Sequence, residues 1–341
     1  MTERNEQQSN TNPQREPLQR LGWNATFAQH LAAMKEVKGR VARVLSVRRK
    51  SFLVGDGENE WSCTVAGRFK QKGEKVFPVT GDWVLIDDTV INEVLPRKNT
   101  LSRGAAGTHG RQTGRPAREQ AIAANIDTVF IVCGLDRDFN INRIERTLTL
   151  VFNCDLLPVI VLTKADLHES PESFSSEVKN IAFDVPVVLS SMHDDRGLNE
   201  LESYLGSGQT IAMFGSSGVG KSTLANRLYG SDIQATQAVS ISEDKGRHTT
   251  TKRELIHMPQ GGMLMDSPGI REVSFFEAGT GVENAFPDIV ALAELCRFSD
   301  CKHTHEPGCA VISALASGKL KRDRFESYHT MKSEMESLSK R

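Results

Sequence analysis

The chain has 341 residues, 38% hydrophobic and 25% charged, with a net charge of −1, a composition that predicts a soluble globular protein of two or three domains. No apolar run is long enough to span a bilayer, and the polar opening MTERNEQQSNTNPQREPLQR lacks the apolar stretch of a secretory signal. Membrane and secreted classes are therefore not expected, and the cytoplasm is the predicted location. The six cysteines do not form a secreted disulfide framework, because three are scattered through apolar contexts and three cluster near the C-terminus.

Residues 1–37 read as a disordered tail. Over 38–103, the runs at 40–47, 50–56, 60–67, 82–88 and 90–95 alternate β-branched or aromatic residues with polar ones. Gly55, Gly57, Gly73 and Gly81 punctuate them. Five short strands in this span predict a small all-β barrel such as an OB-fold. The barrel segment carries thirteen Lys and Arg against eight Asp and Glu, and 312–341 carries seven against four. Basic ends around a neutral middle point to a large polyanionic partner. The Gly/Arg-rich stretch at 104–120 reads as a linker whose arginines can touch phosphates.

From 126 onward the pattern becomes α/β. Strands are expected at IDTVFIVCGL, LPVIVLT (157–163), VPVVLSS (185–191) and TIAMFG (210–215). Helices are expected at 141–152, 171–183, 197–205 and 221–229. Two further strands, ELIHM and GMLMD, follow a polar stretch at 232–252, and the chain turns helical from 283.

Gly215-Ser216-Ser217-Gly218-Val219-Gly220-Lys221-Ser222 matches GxxxxGK[ST], between a strand and a helix. Its glycines let backbone N–H groups face phosphate oxygens, and the helix N-terminus adds a favourable dipole. Lys221 is the expected ligand of the β- and γ-phosphates, Ser222 a ligand of Mg2+, and Thr223 a further nucleotide contact.

Thr163-Lys164-Ala165-Asp166 sits at the end of a strand and resembles the NKxD motif of guanine-nucleotide proteins. A carboxylate at 166 can accept from guanine N1 and N2, and the Lys164 stem can lie along the base. Ser190-Ser191 resembles the loop whose backbone meets guanine O6. Asp266-Ser267-Pro268-Gly269 resembles DxxG, with Asp266 holding Mg2+ through water and Gly269 meeting the γ-phosphate. In GRHTTT, Thr251 is the first candidate for the switch I ligand of Mg2+ and Thr250 the second. The motifs run TKAD, SS, GSSGVGKS, TTT, DSPG, so the phosphate loop comes after the base-reading segment.

That order is the order of the circularly permuted GTPases, and over about 38–330 the chain resembles the RsgA/YjeQ family. The resemblance implies a circularly permuted P-loop G domain (121–280) behind an N-terminal RNA-binding OB barrel, with a C-terminal helical zinc-binding domain and tail (281–341). It further implies GTP hydrolysis as a conformational switch in late 30S assembly, stimulated by the subunit. GTP/GDP, the 30S subunit and its 16S rRNA would be the partners of a monomer, without membrane or DNA. Two departures stand out. Thr163 replaces the usual Asn, which is expected to weaken a bridge toward the phosphate loop. Ile270 follows DSPG where Ras-like proteins have a water-orienting Gln, so a slow intrinsic rate is expected, with His248 the nearest residue to assist the water.

Cys296, Cys301, His303 and Cys309 gather three thiols and an imidazole within fourteen residues. Such donors suit tetrahedral Zn2+ in a closed, structural site, with His305 a rival ligand. The resemblance selects Cys296, Cys301, His303 and Cys309.

Overall fold

The computed structural model describes residues 16–34, 37–67, 69, 77–104, 119–233, 254–266 and 280–339. Two short helices come first, α1 (Glu16–Arg20) and α2 (Ala25–Ala32). Asn24 starts α2 by accepting from the N–H groups of Thr26 (3.0 Å) and Phe27 (3.3 Å). The expectation of a disordered tail over 1–37 therefore fails for 16–34, while residues 1–15 lie outside the described ones. The cause is apolar burial: Leu21, Trp23 and Phe27 are all buried. Trp23 meets Trp83 edge-on at 4.9 Å between ring centres.

The barrel follows, built from β1 (Arg40–Val47), β2 (Phe52–Gly55), β3 (Glu60–Val65), β4 (Trp83–Asp87) and β5 (Val90–Val94). Strand order β1-β2-β3-β5-β4, with β4 returning to β1, closes it. Alternation sorts the side chains. Ala42, Val44, Val84 and Ile86 fill the interior, while Leu45, Trp83 and Leu85 on the outer face join Trp23 and Phe27 in a second core. The five strands fall in the five segments expected from the sequence.

The linker expectation for 104–120 needs correction at its flanks. β6 (Thr100–Gly104) and β7 (Glu119–Ala124) pair antiparallel, from Thr100↔Ala124 to Gly104↔Glu119. The middle of that stretch lies outside the described residues.

The α/β unit contains β8 (Thr128–Gly134), α3 (Ile141–Asn153), β9 (Leu157–Thr163), α4 (Glu172–Lys179), β10 (Val187–Leu189), α5 (Leu198–Glu202), β11 (Thr210–Phe214), α6 (Lys221–Tyr229), β12 (Glu254–His257) and β13 (Met263–Asp266). The strand order is β10-β9-β8-β11-β13-β12, parallel except for β12. Every residue of β8 is buried, as a central parallel strand covered on both faces requires. Its alternate residues face opposite layers. Val129, Ile131 and Cys133 pack with Ile144 and Leu148 of α3, and Phe130 and Val132 pack with Leu224 and Leu228 of α6. Because these strands are parallel, Gly134, Thr163, Leu189 and Phe214 end at one edge, the ligand edge of such sheets.

The C-terminal helices are α7 (Gly281–Ala285), α8 (Pro287–Ala293), α9 (Ala310–Ala316) and α10 (Arg322–Ser339). They seat on α3. A Cβ at Gly281 would lie 2.4 Å from Thr149 O, so only glycine permits this approach of α7 to α3. Arg324 reaches Glu145 of α3 at 2.7 Å and forks onto Asp288 at 2.6 and 2.7 Å. Its guanidinium lies 4.8 Å from the Phe286 ring centre. Burial pushes the Glu145 carboxyl above its ordinary value, against the pull of the Arg324 guanidinium.

Barrel and α/β unit are tied through Arg43, which is 1% exposed. It donates to Gly81 O (3.2 Å), Thr210 Oγ1 (2.8 Å), Asn125 O (2.9 Å) and the Leu21 carbonyl. Burial lowers its pKa to about 10, opposed by Asp127 and Asp82, and it keeps its charge at neutral pH. No helix among the described residues is long and apolar enough to cross a membrane.

Candidate nucleotide site and metal centre

The phosphate loop leaves β11 through Gly215 (φ +155°), where a Cβ would stand 2.3 Å from Val132 O. Gly218 (φ +85°) and Gly220 (φ +98°) also take the left-handed region that glycine tolerates. Val219 is buried as the loop's apolar anchor, while Ser217, Gly218, Ser222 and Thr223 are exposed. Gly220, not a side chain, caps α6. The start of that helix faces the loop, where its dipole favours an anion. Lys221 Nζ donates to Gly215 O (2.8 Å) and Ser216 O (2.6 Å), folded back over its own loop.

The segment 163–166 adjoins this loop. The Thr163 hydroxyl donates to Val219 O at 2.6 Å. The structure thus makes the bridge that the Asn-to-Thr departure was expected to weaken, at the short end of O–H···O distances. Lys164, held at φ +60°, donates from Nζ to Gly218 O at 2.8 Å. Ala165 and Asp166 lie in the 3-10 turn Ala165–Leu167. Ala165 N–H donates to Ser190 O at 3.1 Å, which ties this turn to the end of β10. The Asp166 carboxylate is partly exposed, with His193 Nε2 at 3.6 Å.

Ser190 and Ser191 are fully buried. Their N–H groups are taken by Leu162 O (2.8 Å) and Arg196 O (3.3 Å), and the Ser191 hydroxyl accepts from His193 N at 3.1 Å. In this arrangement the pair buttresses the site rather than offering those N–H groups to a base. Asp266 closes β13 opposite Glu254, at the same sheet edge; nothing is described of its side chain. His248, Thr250, Thr251, Gly269 and Ile270 lie outside the described residues.

One residue at the site was not singled out from the sequence. Asp136, just past β8, receives Lys164 Nζ at 2.6 Å. The lysine ammonium, with the Asp138 N–H, holds its carboxyl below the ordinary aspartate value. The available signal was positional: an acid directly after a buried parallel strand, at the edge where Thr163 and Gly215 also emerge.

Cys296, Cys301, His303 and Cys309 bring one donor atom each within 4.8 Å of one another. The sulfurs of Cys296 and Cys309 are 3.8 Å apart and lie 3.6 and 3.5 Å from His303 Nδ1. A tetrahedron with bonds of about 2.3 Å to sulfur and about 2.05 Å to nitrogen has edges of about 3.8 and 3.6 Å. The spacing therefore fits one zinc-sized ion. His305, the rival, is exposed and outside the cluster. Glu306 shapes the ligand loop, accepting from the N–H groups of Lys302 (3.0 Å), Thr304 (2.9 Å) and His305 (3.1 Å). Those bonds bring its pKa down to about 2. Cys309 also begins α9, its sulfur accepting from Ile312 N–H at 3.4 Å.

The sequence profile described as RsgA GTPase matches residues 94–276. The Small ribosomal subunit biogenesis GTPase RsgA of Syntrophotalea carbinolica is 39% identical over 329 residues, covering 94% of this chain and 90% of that protein. The corresponding RsgA 2 of Vibrio parahaemolyticus is 42% identical over 320 residues, covering 92% and 85%. Among solved structures, YjeQ from Thermotoga maritima superposes with a TM-score of 0.64 at 28% identity, covering 89% of this chain and 99% of that one. YloQ, described as a circularly permuted GTPase, gives 0.61 at 25% identity, covering 88% and 96%.

Proposed function

This chain belongs to the RsgA GTPase family and is a GTP-hydrolysing enzyme, and we propose that it acts as a nucleotide switch in maturation of the 30S ribosomal subunit. The observation that carries the proposal is the join between the two motifs, Thr163 to Val219 O and Lys164 to Gly218 O. It makes the base-reading turn and the phosphate loop one continuous wall. A guanosine triphosphate laid along that wall would put its base at Asp166 and its phosphates at the N-terminus of α6 and at Lys221.

In this reading Asp166 selects guanine by accepting from N1 and N2, which adenine cannot match. Lys221 leaves its loop carbonyls for the β- and γ-phosphates. Mg2+ would supply charge neutralisation at the phosphates, with Ser222 as one ligand. Thr251, or Thr250, and Asp266 are the further candidates to complete its shell, Gly269 to meet the γ-phosphate, and His248 to assist the water. The exposed hydroxyl of Ser222 in the first turn of α6 suits that role.

The metal centre would hold one structural Zn2+, since four protein donors leave no open position. We divide the chain into a barrel at 38–103, an α/β unit at 121–280 and a helical zinc unit from 281. The basic barrel and C-terminal helix would contact 16S rRNA, with the protein monomeric and cytoplasmic.

Phosphate release from GTP and ATP, each with and without 30S subunits, tests the proposal. GTP should be turned over slowly alone and faster with subunits, and ATP not at all. Equal use of ATP would make this a general P-loop ATPase, and no turnover under any condition would leave a nucleotide-stabilised RNA-binding module. Subunit pelleting should show tighter binding with a non-hydrolysable GTP analogue than with GDP.

A further inference from the structure

The Lys164 side chain is clamped at its tip. Its ammonium sits between two acceptors from different elements, Asp136 Oδ2 at 2.6 Å and Gly218 O at 2.8 Å. The carboxylate is itself fixed, because Asp136 Oδ1 accepts from Asp138 N–H at 2.9 Å. Room for the clamp comes from Gly134, where a Cβ would meet Asp136 Oδ1 at 3.0 Å and Lys164 Cδ at 3.6 Å. At its other end the lysine backbone is held at φ +60°, ψ +34°, a region that non-glycine residues occupy at some cost. Both ends of a four-carbon stem are thus held by the protein itself.

We propose that Asp136 is a positioning residue for nucleotide recognition, holding the Lys164 ammonium so that the lysine stem stands preformed along the base-binding wall. This rests on the nucleotide-site reading above and names a residue that the sequence motifs do not contain. A free lysine samples many rotamers, and ordering it on binding lowers affinity. The carboxylate shifts that ordering to the unliganded protein. The ion pair is one-third exposed on both sides, so its effect is moderate and falls with salt.

The experiment is equilibrium binding of fluorescent GDP to the full chain. Asp136→Asn should weaken affinity about fivefold at low salt, and Asp136→Glu should recover part of the loss. The gap should shrink between about 0.05 and 0.5 M salt. In a Lys164→Met background, Asp136→Asn should change nothing further, since the carboxylate acts only through that ammonium. Unchanged affinity in the single variant, or an equal loss in both backgrounds, overturns the inference. Lys221→Ala and Asp166→Asn separate it from the reading beneath it. If they bind GDP like the parent, the site assignment itself is wrong. If they lose binding while Asp136→Asn does not, only the positioning role falls.

Discussion

Thr163 joins two motifs with one hydroxyl proton. Its side chain is 3% exposed, and the bond to Val219 O is made in the core of the site. Thr163→Val keeps the shape but leaves that carbonyl without its donor, at a cost of about 1–3 kcal/mol. We expect a lower melting temperature together with weaker GDP binding, measured by thermal unfolding with and without nucleotide. Asp166 offers a second test at this scale. In the proposed role Asp166→Asn would remove the acceptor for guanine N1 and N2, so competition titrations should show xanthine nucleotide gaining on guanine nucleotide. The parent preference persisting would contradict the assigned role.

Among the elements, α3 connects the nucleotide edge to the C-terminal helices. It starts five residues after Asp136, and its buried face carries Glu145 and Thr149 against Arg324 and Gly281. Gly281→Ala should force α7 off α3 and cost about 1–3 kcal/mol, as overpacking does, read as a drop in melting temperature. Glu306→Ala should release the loop between Cys301 and Cys309. From zinc-loaded protein we expect about tenfold faster loss of the ion to a chelator, with GDP affinity unchanged. The strands of the barrel and of the α/β unit were legible in the sequence because period-two and period-3.6 patterns alternate there with glycine punctuation. The spacing of Gly215 to Ser222 and the density of cysteines near His303 stood out in the sequence, and the structure brings the first against Thr163 and Lys164 and the second within reach of one ion. The α2 helix was missed because it is short and follows a long polar run, and the burial of Phe27 depends on Trp83, a residue far along the chain in the barrel. Asp136 was missed because a single acid after a strand has no motif. The β6–β7 pairing was missed because a Gly/Arg-rich stretch between them hides how two short strands can meet.

At the scale of the whole molecule, Arg43 of β1 gathers the turn after α1, Gly81 ahead of β4, Asn125 after β7 and the first residue of β11. Deleting residues 1–34 would remove one of its acceptors and uncover Trp83. A buried guanidinium short of a partner is costly, so the truncated protein should melt several degrees lower and change its tryptophan fluorescence. Retention of the parent melting curve would show that the helices merely rest on the barrel. The spacing of these contacts also bears on biosynthesis. Arg43 and Thr210 lie 167 positions apart, so the earliest ordered part of the nascent chain has to wait for a residue translated much later. Until that residue leaves the exit tunnel, the Arg43 cation lacks one of its eventual acceptors. Closure of the seam is therefore a late event in the life of the newly made protein, and any fusion or tag that delays it prolongs the interval open to aggregation.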